Sequence, residues 1–385
     1  MSIQAFLDFG KSLQRNGKTF CEKASCNFLR KELPVRLANI IKEIHLLPES
    51  LICQPSTQIV QGWYEKSFAE LITYEQADLT NDAIVSRFTQ DLIKIRNRHN
   101  LVVETMAQGV VELSRGSEDK RIMVDSVTRD SIQYFLDRFY MMRISIRMLI
   151  NQHTILFGGE LPFSAGHVGT IDPECDIQLV VEDAFASARS LCENFYEQSP
   201  ELKMTCINTV NREEPLKIVY VPSHLFHISF ELFKNAMRAT CEKGGASLSL
   251  PPIEVVIVKT TEDVAIKMSD QGGGIPQRNM PQLFEYMFST APSPVDAGTS
   301  VNVVPMAGYG YGLPLSRLYA RYFHGDLQVY SIHGFGTDAV IYLKTLSESA
   351  SEFLPVFNKS VMKQYSSTRT HGWSSSKFSH LVEWG

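Results

Sequence analysis

His227, Glu231 and Asn235 recur at intervals of four residues within the stretch H-L-F-H-I-S-F-E-L-F-K-N-A-M-R. Each step of four residues turns an α-helix by about 400°, so the three side chains lie along one face over about 12 Å. An imidazole, a carboxylate and an amide on one face could act on a single ligand. The same stripe is also typical of the solvent face of an ordinary helix, and taken alone it does not separate the two interpretations.

Three later segments could serve the same ligand. In M-S-D-Q-G-G-G-I-P, Asp270 ends a predicted strand, and Gly272 and Gly274 follow it. This carboxylate could accept a hydrogen bond from a buried amine while the glycines let a flat ring approach the backbone, although the segment could also be only a turn. The stretch G-Y-G-Y-G-L-P at 308–314 leads into a predicted helix, and its N–H groups suit a phosphate. The last segment, G-F-G-T-D at 334–338, is typical of a hairpin turn when taken alone.

The order of the four segments is more specific than any one of them. A helical Glu/Asn pair, then D-x-G-x-G, a glycine-rich stretch and G-x-G-T resemble the N, G1, G2 and G3 boxes of the GHKL fold. Histidine kinases, heat-shock chaperone ATPases, type II topoisomerases and mismatch-repair ATPases share this ATP-binding fold. The segments R-K-E-L-P-V-R-L-A-N-I, I-R-N-R-H-N and S-R-L-Y-A-R-Y-F-H-G-D-L-Q-V-Y further resemble the mitochondrial protein kinases, most closely pyruvate dehydrogenase kinase. The resemblance spans about residues 6–363.

The resemblance implies roles for the residues of the first segment. Glu231 would be the general base toward a substrate serine hydroxyl, and His227 would orient and tune that carboxylate. Asn235 would supply an oxygen to Mg²⁺. Lys234 and Arg238 would be cationic neighbours of the nucleotide. The cofactors so implied are ATP and Mg²⁺, with K⁺ as an additional candidate.

The other segments would hold the nucleotide. Asp270 would bind the adenine amine and so favour ATP over GTP, and 291–307 would form a mobile lid over ATP. The remaining residues that the resemblance places at the nucleotide are Gly272, Gly274, Ser289, Thr290, Gly308, Tyr309, Gly310, Tyr311, Gly312, Leu313 and Thr337.

The helical half carries a second group of cations. Arg96 and His99 lie one turn apart on one predicted helix, and Arg143 and Arg147 lie one turn apart on another. Cations against an apolar stripe are unfavourable unless an anion pairs with them. The family implies a regulatory pocket here for pyruvate-like carboxylates, with Tyr64 nearby. The alternative is structural ion pairing with the acids of the same helices, Asp91, Glu104 or Asp137.

The hydrophobic pattern divides the chain into two halves of different class. Residues 1–165 are predicted to form a four-helix-bundle domain, because long amphipathic stretches alternate with short polar ones. The resemblance implies that this domain serves regulation and lipoyl docking. Residues 166–346 are predicted to form a GHKL-type α/β sandwich that binds ATP, and 347–385 a C-terminal tail. Within the bundle we expect one helix to stop at Pro34 and another to run unbroken over about 82–114.

The resemblance also implies partners and a location. They are the decarboxylase α subunit of the pyruvate dehydrogenase complex, the lipoyl domain of the dihydrolipoyl transacetylase and a second copy of the chain. Phe6, Phe9 and Phe28 are candidates for the lipoyl slot, and ordinary core packing explains them equally well. Gly372 stands where related kinases have an acid before the tail tryptophan, here Trp373. The first residues do not look like a presequence, so a matrix location depends on the resemblance.

Composition excludes several other classes. The net charge of −5 argues against binding of nucleic acid by bulk phosphate neutralisation, and no run of about 18 apolar residues occurs. Seven cysteines without a C-x-x-C favour a reducing compartment. The open alternatives are the kinase of the branched-chain 2-oxoacid dehydrogenase complex, a true histidine kinase and a non-catalytic ATP-binding scaffold. None of the ten histidines precedes an acid, which argues against the histidine kinase.

Overall fold

The computed structural model describes residues 1–115, 126–159, 166–245, 249–286, 288–289 and 310–356. Up to residue 159 every element within these ranges is a helix. Four of these helices have 17 residues or more and pack side by side. The helices are α1 (Ile3–Asn16), α2 (Lys18–Ile44), α3 (Glu49–Ile52), α4 (Pro55–Ile72), α5 (Asp82–Arg98), α6 (Val102–Arg115) and α7 (Ser126–Phe157).

The predicted stop at Pro34 is wrong. Helix α2 continues through Pro34, although a proline inside a helix removes one backbone hydrogen bond and crowds the preceding turn. Leu33 and Leu37 on either side are fully buried in the core. Packing of this apolar face therefore outweighs the local penalty, which local sequence rules cannot weigh.

The predicted unbroken helix over 82–114 is also wrong. It is two helices, because His99 ends α5 with φ −87° and ψ 7° and α6 begins at Val102. The break frees the backbone carbonyl of His99, which accepts a hydrogen bond from Arg143 of α7 at 3.3 Å. One of the predicted pocket cations therefore binds the helix end that the sequence pattern did not indicate.

The second half is built on a mixed five-stranded sheet of order β2-β4-β5-β7-β6. Strand β2 runs parallel to β4, and the other neighbours are antiparallel. A separate antiparallel pair joins β1 to β3. The strands are β1 (Asp172–Asp176), β2 (Leu202–Asn208), β3 (Lys217–Tyr220), β4 (Ile253–Lys259), β5 (Asp263–Asp270), β6 (Asp326–Ile332) and β7 (Gly336–Lys344).

Helices α9 (Pro222–Gly244) and α10 (Gly312–Tyr322) pack on one face of this sheet, and α8 (Ile177–Tyr196) packs alongside α9. Ile257, Ile266 and Ile341 lie opposite one another on β4, β5 and β7 and are fully buried in the resulting core. The predicted fold class, a helical region followed by an α/β sandwich, is confirmed. Strands β1 and β2 were not expected, because β2 lies at the sheet edge, where half-exposed residues give a weak alternating pattern.

A buried ionic group ties the two halves together. Arg36 of α2 donates to Glu352 at 2.9 Å and to Ser145 of α7 at 2.7 Å. Tyr322 at the end of α10 also donates to Glu352. Helices α7 and α10 pack directly on each other, so the bundle and the sandwich share one apolar core. Within the described ranges, no helix combines the length and apolar character that crossing a membrane requires.

Candidate active site

Helix α9 and the Asp270 turn meet at Gly272. A Cβ at position 272 would lie 2.5 Å from the Cβ of Ala239 on α9, so a larger residue would push the turn off the helix. Ala239 lies one turn beyond Asn235. The close approach therefore brings the D-x-G-x-G segment beside the polar face of α9.

The start of helix α10 meets the same face at Gly312. A Cβ at position 312 would lie 2.4 Å from Oε2 of Glu231. The first N–H groups of a helix carry positive potential and no intrahelical partner, so the Glu231 carboxylate lies beside an anion-binding helix end. A phosphate bound at this end would lie close to the carboxylate.

The last segment is joined to Asp270 by strand pairing. Asp270 pairs with Thr337 in the β5–β7 register, and Oδ1 of Asp270 accepts the Gly272 N–H at 2.8 Å. Burial raises the pKa of Asp270, and the N–H groups of Gly272 and Thr337 oppose this rise. The Thr337 hydroxyl lies 3.0 Å from that of Ser331. A half-buried carboxylate with free acceptor capacity suits an amine donor.

Lys234 is the partner of Glu231 in this structure. Its Nζ lies 2.7 Å from Oε1 of Glu231 and 5.1 Å from the centre of the Phe230 ring. Both side chains are mostly buried, so this ion pair fixes the position of the Glu231 carboxylate on the helix face. Lys234 is therefore held at the site rather than solvated.

His227 does not bond the carboxylate that it was predicted to orient. Its Nε2 is buried without a hydrogen-bond partner among the described residues, and its ring packs 4.8 Å from that of Tyr319 on α10. Burial lowers the pKa of His227, and the negative charge of Glu231 partly opposes this. The imidazole is therefore neutral near pH 7 and has one ring nitrogen free for a further contact.

Asn235 and Arg238 complete the face. The side chain of Asn235 is partly buried and makes no hydrogen bond to any residue in the described ranges. A free amide oxygen beside a carboxylate fits a Mg²⁺ ligand. Arg238 forms an ion pair with Glu242 at 2.7 Å. Its guanidinium could reach a nucleotide only by sharing or leaving that pair.

Tyr311 of the glycine-rich stretch is buried among other tyrosines. The Tyr311 ring is buried 5.2 Å from the ring of Tyr286 and 6.0 Å from that of Tyr140 on α7. The Tyr286 hydroxyl donates to Asp137 at 2.9 Å, which links this segment to the bundle. Sequence reasoning missed Tyr140 and Tyr286, because nothing in their local patterns indicates that they meet. Thr290, Gly308, Tyr309 and the predicted lid at 291–307 lie outside the described residues, whereas Ser289 is within them and partly buried.

The bundle residues also gather in one place. The Tyr64 ring lies 4.5 Å from that of His99, while Arg143 donates to the His99 carbonyl and Arg147 to Oδ1 of Asn100 at 3.1 Å. Nε of Arg143 and the Tyr64 hydroxyl are buried without partners among the described residues. Burial lowers the pKa of His99 to about 4 and also lowers the pKa of Arg147.

The alternative of structural ion pairs does not account for these two arginines. Asp91 pairs with Lys94 at 2.8 Å, and Asp137 accepts from Tyr286. No carboxylate in the described part of the chain lies within ion-pair distance of Arg143 or Arg147. Arg96 lies at the rim of the group, where it donates to Thr154 at 3.3 Å. Among the described residues, Arg143 therefore keeps a buried Nε donor without a partner.

Comparison with known proteins gives the same two halves. Residues 1–172 match the family model of the mitochondrial branched-chain alpha-ketoacid dehydrogenase kinase, and 220–347 match that of the histidine kinase-, DNA gyrase B- and HSP90-like ATPases. The mitochondrial [pyruvate dehydrogenase (acetyl-transferring)] kinase of Drosophila melanogaster is 53% identical over 97% of this chain and 88% of its own length. Human isozyme 3 is 51% identical over 97% of this chain and 90% of its own length. Rat isozyme 1 is 52% identical over 95% and 81%.

The chain belongs to the pyruvate dehydrogenase kinase family. The resemblance stated from the sequence is thereby confirmed, as are its GHKL ATPase domain and the mitochondrial family to which it was assigned. One candidate site in this kinase family member is formed where α9, the Asp270 turn, the start of α10 and β7 meet. The roles of individual residues in it stay predictions.

Proposed function

We propose that the protein is an ATP-dependent protein serine kinase of the mitochondrial matrix, which phosphorylates and inactivates the decarboxylase α subunit of the pyruvate dehydrogenase complex. The observation that carries this proposal is the convergence at Gly272 and Gly312. These two close approaches bring a carboxylate suited to an amine, a metal-ligand amide and a helix N-terminus around Glu231. ATP use follows from the family.

The geometry supports a division of labour during transfer. Asp270 receives the adenine amine, and the first N–H groups of α10 face the phosphates. Asn235 would hold Mg²⁺, which neutralises charge on the phosphates when it is bound. Glu231 accepts the proton of the attacking serine hydroxyl. The ion pair with Lys234 holds Glu231 in place until then, and His227 acts on the carboxylate through its dipole rather than through a hydrogen bond.

We further propose that Tyr64, Arg96, His99, Arg143 and Arg147 form a regulatory site for a small carboxylate. An unused donor on a buried arginine is costly, and a carboxylate ligand would satisfy Nε of Arg143. Neutral His99 would line the site without adding charge, because its pKa of about 4 lies far below neutral pH. A pyruvate-like anion carries the charge that these donors would accept.

Two protein contacts belong to the same proposal. Phe28 is exposed on α2 together with Phe20 and suits an apolar lipoyl arm, whereas Phe6 is buried in the core, which favours the packing interpretation for it.

On the uncovered face of the sheet, Tyr330, Ile332 and Phe335 are more than half exposed beside a cavity of about 560 Å³. Such a face suits a homodimer contact. The division at 165 and 346 and the crossing of the tail, whose Trp373 lies outside the described residues, stay proposals.

A transfer assay tests the proposed function. The full chain is incubated with radiolabelled ATP and Mg²⁺ and, separately, with the purified decarboxylases of the pyruvate and branched-chain complexes, followed by phosphoamino-acid analysis. We expect phosphoserine on the pyruvate enzyme. Preferential labelling of the branched-chain enzyme would favour the second candidate function, the kinase of the branched-chain complex. The family model that matches the helical half carries that description. Acid-labile label on the chain itself would contradict both.

A further inference from the structure

The last turn of α9 carries a lysine whose contacts join two nucleotide segments. Nζ of Lys243 donates to the backbone carbonyl of Gln271 at 2.9 Å and to that of Phe335 at 3.2 Å. Gln271 follows Asp270 directly, and Phe335 lies two residues before Thr337. The side chain is exposed to solvent, so its position follows from these two bonds rather than from burial.

The two carbonyls belong to turns that are already bonded to each other. The N–H of Gly273 donates to the Phe335 carbonyl at 3.0 Å, and that of Gly334 donates to the Gly273 carbonyl at 2.7 Å. The stem of Lys243 lies 3.4 Å from the place that a Cβ of Gly273 would occupy. The ammonium therefore fixes this pair of turns to the end of α9.

We propose that Lys243 is a positioning residue for the adenine end of the nucleotide site, because it holds the 270–274 and 333–336 turns at a fixed distance from α9. The inference rests on the proposed function, in which Asp270 receives adenine. Lys243 acts through the backbone and does not contact the nucleotide. Its positive charge also faces Asp270, whose pKa it lowers, while Asp338 on β7 raises that pKa.

A matched control lies at the other end of the sheet. Lys259 ends β4, next to Val264 of β5 and away from Asp270, and its Nζ likewise donates to one backbone carbonyl, that of Lys217, at 2.6 Å. If Lys243 contributed only to the stability of the fold, its replacement should have effects similar to those of replacing Lys259. Lys243→Met and Lys259→Met keep the apolar stem and remove the ammonium, and Lys243→Arg keeps the charge.

The experiment measures the Kd of radiolabelled ATP by equilibrium dialysis, kcat at saturating ATP and the Tm without nucleotide, for the full chain and the three variants. We expect Lys243→Met to weaken ATP binding about threefold to tenfold, as befits one or two hydrogen bonds, with kcat within about twofold. Lys243→Arg should recover most of the affinity, and Lys259→Met should bind ATP as the unchanged chain does.

The pH dependence of binding separates positioning from general stability. Adenine binding requires the ionised Asp270, so affinity falls as the pH drops through its pKa. Without the ammonium this pKa is higher, and the loss in Lys243→Met should begin at a higher pH. Equal ATP affinity and an equal pH profile for Lys243→Met and the unchanged chain would overturn the inference. So would equal losses of affinity and Tm in both methionine variants. Absence of ATP binding by the unchanged chain would instead overturn the proposed function, and the inference with it.

Discussion

The nucleotide site and the bundle site of this molecule treat charge in opposite ways. At the nucleotide site most charged groups already have partners: Glu231 pairs with Lys234, and Asp270 accepts the Gly272 N–H. In the bundle, Arg143 and Arg147 have only neutral oxygens as partners among the described residues. The first arrangement holds groups in place for a reaction. The second leaves buried donors that a ligand can satisfy.

This difference indicates that the nucleotide site suits catalysis and that the bundle site suits regulation. A preorganised site needs little rearrangement when ATP binds, which is the condition for electrostatic catalysis. A site with unsatisfied cations gains most from binding an anion and therefore suits regulation. The ring contacts among Tyr140, Tyr286 and Tyr311 connect the two regions physically.

The largest effect is expected from replacing the proposed general base of the nucleotide site, Glu231. Glu231→Gln should lower phosphoryl transfer by about 10²–10⁴-fold, because the amide cannot accept the serine proton, while ATP binding changes little. Single-turnover transfer and the Kd for ATP measure the two quantities. Glu193→Gln, which loses an ordinary helix ion pair with Arg189, is the control and should change neither. Near-normal transfer by Glu231→Gln would rule out the base assignment.

A second variant tests the adenine end of the same site. Asp270→Asn should weaken ATP binding about tenfold to a hundredfold, because it removes one charge-assisted hydrogen bond worth about 1.5–3 kcal/mol. Binding of radiolabelled ATP and GTP is measured side by side, since the preference for ATP should shrink. Asp263→Asn, at the other end of β5, serves as control. An unchanged ratio of ATP to GTP affinity would place adenine elsewhere.

A third variant tests the bundle side of the comparison. Arg143→Met should raise the concentration of pyruvate or dichloroacetate needed for half-inhibition by about tenfold or more, with uninhibited transfer within about twofold. Arg98→Met removes a cation that is paired with Glu70 at 2.8 Å and should leave inhibition unchanged. If inhibition persists in Arg143→Met, the carboxylate binds at another place.

The smallest expected effect concerns the bundle site and is a pH dependence of the free energy of unfolding. The folded-state pKa of His99, about 4, lies below its ordinary value of 6.5, so the unfolded chain binds more protons between these values. Stability is therefore complete above pH 6.5 and falls as the pH drops toward 4, by about 1.4 kcal/mol per pH unit at most. Urea unfolding at pH 7 and pH 5 should show a smaller decrease in His99→Gln. Identical decreases would mean that His99 is not buried and neutral.

Sequence patterns predicted the elements around the nucleotide better than their contacts. The strand predicted to end at Asp270 is present as β5, and the helix predicted to carry Glu231 and Asn235 is present as α9, because hydrophobic alternation and helical spacing are local properties. The ion pair between Lys234 and Glu231 follows from spacing of three on one helix, yet it was not anticipated. Contacts such as Tyr140 with Tyr311 depend on how distant helices pack, and no local pattern carries that information.

In the bundle the local rules failed where packing overrides them. Pro34 lies within a helix since the surrounding leucines are buried, and the helix break at His99 leaves a carbonyl that accepts a hydrogen bond from Arg143. The set of pocket residues was nevertheless predicted through the family resemblance rather than through spacing. That Arg143 has no acidic partner among the described residues could be learned only from the structure.

The central claim is that α9, the Asp270 turn and the start of α10 form one ATP site. The most direct measurement is an experimental structure of the full chain with a non-hydrolysable ATP analogue and Mg²⁺. The account predicts the adenine amine on the Asp270 carboxylate, Mg²⁺ at Asn235 and the terminal phosphate beside Glu231 at the α10 end. A nucleotide bound anywhere else, or a terminal phosphate remote from Glu231, would contradict it.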